Sequence, residues 1–186
     1  MTKSELRQLS KEKNKTISKS EKEAIDKKIS ENFLSLDMES GKVFVYVSFG
    51  DEIETRGIID SFINAGCEVF VPLCHEKGEM EAKRIVSLSE LTPGKYGIPE
   101  PPESAETIDP SELSRIVVPG LAFGRDFSRL GRGAGYYDRF LEKAEKATKV
   151  ALCREMNLYE TVPCEEHDRK VDIIVTEERI IKERKK

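Results

Sequence analysis

Apolar positions along this chain switch between two spacings. Over residues 1–36 they recur at helical intervals within a charge-rich background. Leu6 and Leu9 make a short stripe, and Ile25, Ile29, Phe33 and Leu36 make a longer one. Residues 20–23, Ser-Glu-Lys-Glu, read as a capping box before that second stripe, and Gly41 closes the region. Residues 43–49 are then a continuous apolar, β-rich run, the pattern of a buried strand. Ile58, Ile59, Phe62 and Ile63 mark a helix that stops at Gly66, and residues 68–73 predict a second strand. Strand, helix and strand over about thirty residues make a βαβ unit, with parallel pairing and a right-handed crossover.

Residues 85–88 predict a short extra strand. Residues 92–112 hold Pro93, Gly94, Gly97, Pro99, Pro101, Pro102 and Pro110, a long irregular segment that is either a solvated connector or functional. Residues 115–120 predict a third strand with a glycine-rich loop directly after it. Tyr137, Phe140, Leu141 and Ala144 form the buried face of the next helix, and residues 149–153 and 171–175 predict two more strands. The expected architecture is a single three-layer α/β/α domain with a mostly parallel sheet. It divides into N-terminal helices over 1–36, an α/β core over 37–180 and a frayed basic tail over 181–186. Ligands of such sheets bind beyond the carboxyl ends of the strands. Residues 51–55 and the glycine loop both follow strand ends, so both are expected to face one crevice.

Composition narrows the function classes. A length of 186 residues suits one domain, and 38% hydrophobic with 35% charged residues suits a soluble one. A net charge of −4 gives no general attraction to nucleic acid or an anionic membrane. No apolar run is long enough to span a bilayer, and the first residues lack the apolar core of a signal peptide. Cys67, Cys74, Cys153 and Cys164 form no C-x-x-C pair, so reduced thiols and a cytoplasmic location are expected.

The candidate chemistry centres on residues 129–139, Arg-Leu-Gly-Arg-Gly-Ala-Gly-Tyr-Tyr-Asp-Arg. Gly131, Gly133 and Gly135 expose backbone N–H groups, a helix start follows, and Arg129 and Arg132 stand beside them. That set can cradle phosphate. The spacing is neither a Walker A loop nor a dinucleotide fingerprint. Asp138 either favours the helix dipole or ligates magnesium. Asp172 is either a strand-end residue or a second carboxylate near that metal. Glu54 is a loop charge or an acceptor for a polar heterocycle, and Phe49 is core or an aromatic pocket wall. Lys3 and Arg7 share a helical face that is either solvated or in reach of a polyphosphate. Cys164 and His167 lie close in sequence, but nucleophile and base partners usually come from distant segments.

Residues 119–123, Pro-Gly-Leu-Ala-Phe, followed by residues 129–141, resemble the signature of the 5-formyltetrahydrofolate cyclo-ligase family. Residues 3–7, 51–55, 96–101, 162–168 and 171–172 are similar to further segments of that family, in order along nearly the whole chain. The resemblance implies ATP-dependent closure of 5-formyltetrahydrofolate to 5,10-methenyltetrahydrofolate through a phosphorylated formyl group. It implies that Arg129, Leu130, Gly131, Arg132, Gly133, Ala134, Gly135, Tyr136 and Tyr137 bind ATP, with Arg132 and Tyr137 acting in catalysis. Lys3 and Arg7 would assist from the first helix, and Asp138 and Asp172 would hold Mg2+. Phe49 and Glu54 would contact the pterin, with Tyr96 flanking it. A reduced folate is then the partner of a monomer that binds neither nucleic acid nor membrane. Gly124, Phe127 and Asn157 depart from the family pattern, and the first two are expected to alter the turn presenting the loop. Two rival readings are an enzyme acting on a phosphorylated sugar or acyl carrier, and a folate-binding protein without turnover.

Overall fold

Two capping boxes launch the chain. The computed structural model describes residues 1–37, 41–94 and 97–183, apart from the side chain of Lys77. Helix α1 (Lys3–Thr16) starts from Thr2, whose side chain accepts from Glu5 N while the Glu5 carboxylate returns to Thr2 N. Helix α2 (Lys19–Leu34) starts in the same way from Ser18 and Glu21. The box expected over residues 20–23 therefore lies two residues earlier. Ser18 has the extended backbone a cap needs, whereas Ser20 is already inside the helix.

The α/β part then runs β1 (Lys42–Val45), α3 (Arg56–Asn64), β2 (Glu68–Cys74), β3 (Met80–Ile85), β4 (Thr92–Pro93), β5 (Pro99–Glu100), β6 (Thr107–Ile108) and β7 (Arg115–Val118). It continues with β8 (Ala122–Gly124), β9 (Arg129–Leu130), α4 (Tyr136–Lys143), β10 (Thr148–Leu152), β11 (Leu158–Tyr159), β12 (Ile173–Val175) and β13 (Ile180–Lys182). The main sheet has the order β13-β12-β10-β7-β1-β2-β3-β6. Its five central strands, β12 to β2, are parallel, and β13, β3 and β6 add antiparallel edges. The period-two alternation of the strands feeds a cluster on each face. Val43, Val45, Val69 and Val71 pack with Ile29 and Phe33 of α2 and Ile58 and Phe62 of α3. Phe44, Phe70, Ile116 and Val118 pack with Phe140 and Leu141 of α4. Helices thus cover both faces of a mostly parallel sheet.

Three expectations are corrected. The strand expected over 43–49 ends at Val45, because the side chain of Thr55 takes over the next backbone groups: its hydroxyl donates to Tyr46 O and accepts from Ser48 N. The strand expected over 85–88 is only the end of β3, and Ser87 instead caps a 3-10 turn over Leu88–Glu90. The glycine loop does not follow β7 directly. A hairpin of β8 and β9 intervenes, in a separate sheet ordered β11-β8-β9. The hairpin turns tightly between Gly124 and Ser128, where Gly124 N donates to Ser128 O and Phe127 N to Gly124 O. A side chain at Gly124 would collide with Asp126, Ser128 and the Thr161 backbone. Phe127 adopts the left-handed conformation, φ 67°, that glycine fits more readily. Its ring packs at the margin of the cluster under α4. The turn thus places its glycine at 124 and tolerates an aromatic at 127. Residues 181 and 182, at the start of the expected tail, belong to β13. Residues 184–186 lie outside the described residues.

Candidate functional site

The hairpin returns the chain to the carboxyl ends of the parallel strands, where a cavity of about 1050 Å³ opens. Its floor comes from residues after β1, β7 and β10, and α1 and the start of α4 form its sides.

One end is the glycine loop. Gly133 and Gly135 have φ of 105° and 72°, conformations that side chains disfavour, and Gly135 is the N-cap of α4. No cap side chain satisfies the first N–H groups of α4, which leaves them for an anion. Buried Arg129 clamps the loop's base. Its Nη1 donates to Pro119 O at 3.2 Å and its Nη2 to Asp138 Oδ1 at 2.6 Å, while its Nε has no partner. Arg7 of α1 donates from Nε to Gly131 O at 2.9 Å, and its guanidinium lies against Gly133. Arg139 donates to Ala134 O and Gly78 O and holds the loop from behind. Arg132 is exposed and reaches across to Glu52 Oε1 at 3.1 Å. Tyr137 packs between Phe44 and Arg129, and burial pushes its phenol well above the ordinary range, so it stays protonated.

The other end is the loop after β1. Phe49, 42% exposed, lines the cavity. One buried guanidinium ties this loop down. Arg154 donates from Nε and Nη2 to both carboxylate oxygens of Asp26 in α2, at 2.8 and 2.9 Å. Its Nη1 donates to Asp51 O at 3.1 Å and Asn14 Oδ1 at 3.3 Å. Asp26 also accepts from Glu54 N, and Asn157 donates to Asn14. A charge this deeply buried persists because its fork is paired with a carboxylate and each of its three nitrogens is hydrogen-bonded.

Of the residues singled out from sequence, Arg129, Gly131–Asp138 and Phe49 line one cavity. Leu130 supports the loop from beneath, against Leu6 and Val162. Arg7 touches the loop, but Lys3 turns to Asp168 and Glu165, at 2.6 and 3.3 Å. Glu54 does not line the cavity. Its carboxylate accepts from Ser48 Oγ and from the backbone and guanidinium of Arg56. Burial would raise the Glu54 carboxyl, but those bonds and the Arg56 charge hold it below the ordinary range. Asp172 is not brought to Asp138 as a shared metal site. It precedes β12 at the amino end of the sheet and accepts from Lys149 N at 2.7 Å, whereas the cavity lies at the carboxyl ends. Among the described residues no three His, Cys, Asp or Glu side chains gather to hold a metal ion. Tyr96 lies outside the described residues. Cys164 and His167 are both exposed, and Cys164 bonds only to Val162 O.

Sequence reasoning missed Lys11, Asn14 and Lys15 of α1, together with Arg154, all of which line the cavity, whereas Asp51, Glu52 and Ile53 line it as expected for residues 51–55. The lysines continue the four-residue spacing begun by Lys3 and Arg7, a legible signal. The Arg154–Asp26 pair joins segments 128 residues apart and leaves no local signature.

Comparison with known proteins gives concordant results. Residues 1–177 match the model of the 5-formyltetrahydrofolate cyclo-ligase family. A probable 5-formyltetrahydrofolate cyclo-ligase of Schizosaccharomyces pombe is 35% identical over 146 residues, covering 70% of this chain and 72% of that protein. The 5-formyltetrahydrofolate cyclo-ligase of Mus musculus is 32% identical over 151 residues, covering 75% and 74%. The solution structure of 5,10-methenyltetrahydrofolate synthetase from Aquifex aeolicus superimposes with a TM-score of 0.88 at 32% identity, covering 100% of this chain and 95% of that one. A 5,10-methenyltetrahydrofolate synthetase from Mycoplasma pneumoniae shares the fold, with a TM-score of 0.77 at 20% identity, covering 95% and 99%. No helix among the described residues is long and apolar enough to cross a membrane.

Proposed function

The chain belongs to the 5-formyltetrahydrofolate cyclo-ligase family, a family of ligases, and from that premise we propose that it closes 5-formyltetrahydrofolate to 5,10-methenyltetrahydrofolate with ATP. The observation that carries this reading is the facing pair of cavity ends: an uncapped helix start ringed by Arg7, Arg129 and Arg132, and the exposed ring of Phe49.

The γ-phosphoryl group moves from ATP to the formyl oxygen, releasing ADP and making that oxygen a leaving group. The neighbouring N10 attacks the formyl carbon and gives up its proton, and the C–O bond breaks with loss of phosphate. Such a transfer needs position and charge neutralisation more than acid or base groups. The first N–H groups of α4 and the Gly131–Gly135 backbone hold phosphate oxygens. Arg132, exposed and joined only to Glu52, swings onto the transferring group. Tyr137, kept protonated by burial, donates a hydrogen bond. Phe49 stacks on the pterin.

The donors present fit a magnesium ion that arrives with the nucleotide. Asp138 stands in the first turn of α4, its Oδ1 engaged by Arg129 and Arg169 N, which leaves Oδ2 for one bond to a hydrated ion. A magnesium ion held there by Asp138 would neutralise phosphate charge.

The test is the appearance of the methenyl product by near-ultraviolet absorbance. Product is expected with 5-formyltetrahydrofolate, ATP and magnesium together, and none when ATP is omitted. Absence of product from the complete mixture, or equal product without ATP, would overturn the reading.

A further inference from the structure

Helix α1 spans the cavity from one end to the other. Arg7 fastens it to the glycine loop through Gly131 O. Two turns on, Asn14 fastens it to the loop after β1, because the same Arg154 nitrogen donates to Asn14 Oδ1 and Asp51 O. At 1.5 Å per residue, these anchors lie about 10 Å apart along the axis. Between and just beyond them, Lys11 and Lys15 occupy one helical face and line the cavity, both exposed.

Two cavity-lining acids of the loop after β1 are committed elsewhere. The Asp51 carboxylate is held by Lys22 at 2.7 Å, and Glu52 is held by Arg132 at 3.1 Å. Lys13, between the two lysines in sequence, points away to Met156 O and Tyr159. Lys11 and Lys15 thus remain as cations without ion-pair partners among the described residues. They stand at the Phe49 end of the cavity, one and two turns beyond Arg7. Beside them the carbonyl oxygen of Asn157, itself only 5% exposed, has no hydrogen-bond partner. A ligand bearing both anionic oxygens and an N–H donor would satisfy this face.

We infer that Lys11 and Lys15 form an anion subsite that takes the glutamate carboxylates of the folate substrate, with Asn157 receiving an N–H of the same ligand. The inference rests on the folate reading proposed above. With the pterin on Phe49 and the formyl group turned to the glycine loop, the side chain of the substrate leaves along α1, and its tail carries the carboxylates. The phosphates of ATP are already served by Arg7, Arg129, Arg132 and the α4 N-terminus at the opposite end. Lysine ammonium groups accept carboxylate and phosphate alike, so the experiment must separate the two sources.

Binding measured by calorimetry without turnover separates them. The probes are 5-formyltetrahydrofolate, a truncated analogue, the primary amide of 5-formyltetrahydropteroate (which lacks the glutamate and carries no carboxylate), and ATP with magnesium. The full-length proteins are wild type and Lys11→Gln/Lys15→Gln, changes at exposed helical positions. The double variant is expected to bind the folate about five- to ten-fold more weakly, and to bind the truncated analogue and ATP as wild type does. Weakened ATP binding would make the lysines phosphate ligands and overturn the inference, as would unchanged folate binding. Equal weakening on folate and truncated analogue would overturn it too, since the glutamate would then not be the group recognised. Failure of the proposed reaction is read separately, as wild-type protein that binds folate yet yields no methenyl product.

Discussion

The glycine-loop end of the cavity and the Arg154 end face each other but are built on opposite plans. Residues 129–139 bring the proposed phosphate cradle in one continuous stretch, and the cation proposed to react, Arg132, is exposed and lightly held. The Arg154 end gathers α1, α2, the loop after β1 and the segment after β10 around one buried guanidinium. At the first end, exposed Arg132 stands apart from the buried Arg129–Asp138 pair that holds the loop. At the second, the atoms that hold the fold also line the cavity.

The sharpest way to break that distinction is Arg154→Ala. It leaves Asp26 as a buried charge without its partner, and is expected to cost about 3–5 kcal/mol, measured by denaturant unfolding. The double change Asp26→Leu/Arg154→Met should restore most of that stability, because apolar replacement of a buried pair is close to neutral. It should nevertheless keep a raised KM for the folate, since Asp51 O has lost its tie. A double variant with wild-type KM would show that the clamp does not shape the site.

At the other end, Arg132→Ala should lower kcat by about 10²- to 10³-fold, as loss of a transition-state donor does. Its melting temperature should stay within about 2 °C, because an exposed ion pair contributes little. A large loss of stability would erase the contrast between the ends. Phe49→Ala should raise the folate KM about ten-fold with the ATP KM unchanged, the loss of one stacking face.

The smallest expected effect lies outside both ends, at Asp168. Burial would raise its carboxyl, but Lys3 and Glu165 N hold it below its ordinary 3.8. Its folded value is depressed, so its contribution is present above 3.8 and lost as pH falls through the lowered value. Asp168→Asn should therefore melt about 2 °C below wild type near neutral pH. The difference should shrink in acid below 3.8 and disappear once the pH lies under the lowered folded value. A difference that persists in acid would point to packing rather than charge.

The contrast between the ends also explains how much the sequence discloses. The βαβ unit, the parallel core and the glycine loop are legible because each depends on local periodicity or on glycines within a few residues of one another. The hairpin of β8 and β9 hides, since Phe127 occupies a left-handed position that a reader expects glycine to mark. Asp138 and Asp172 read as a pair only while the strand is imagined without direction. Once β12 is placed in the sheet, Asp172 belongs to its amino end and caps Lys149 N. Glu54 follows the same loop, and its carboxylate accepts from Ser48 and Arg56, contacts that no local pattern announces. Arg154 and Asp26 are individually unremarkable charges, and only tertiary structure reveals that each is buried against the other.

Helix α1 carries one further consequence. Leu6 is its only fully buried apolar side chain, alongside buried Ser10 and Asn14, and polar ties do the rest. The central strands, by contrast, bury large apolar residues on both faces. Backbone protons of α1 should therefore exchange with solvent through local opening, well before those of β1 and β7 exchange through global unfolding. A ligand bridging the glycine loop and the far rim would slow that exchange along the whole helix, so protection of α1 reports occupancy of the cavity without any chemical step.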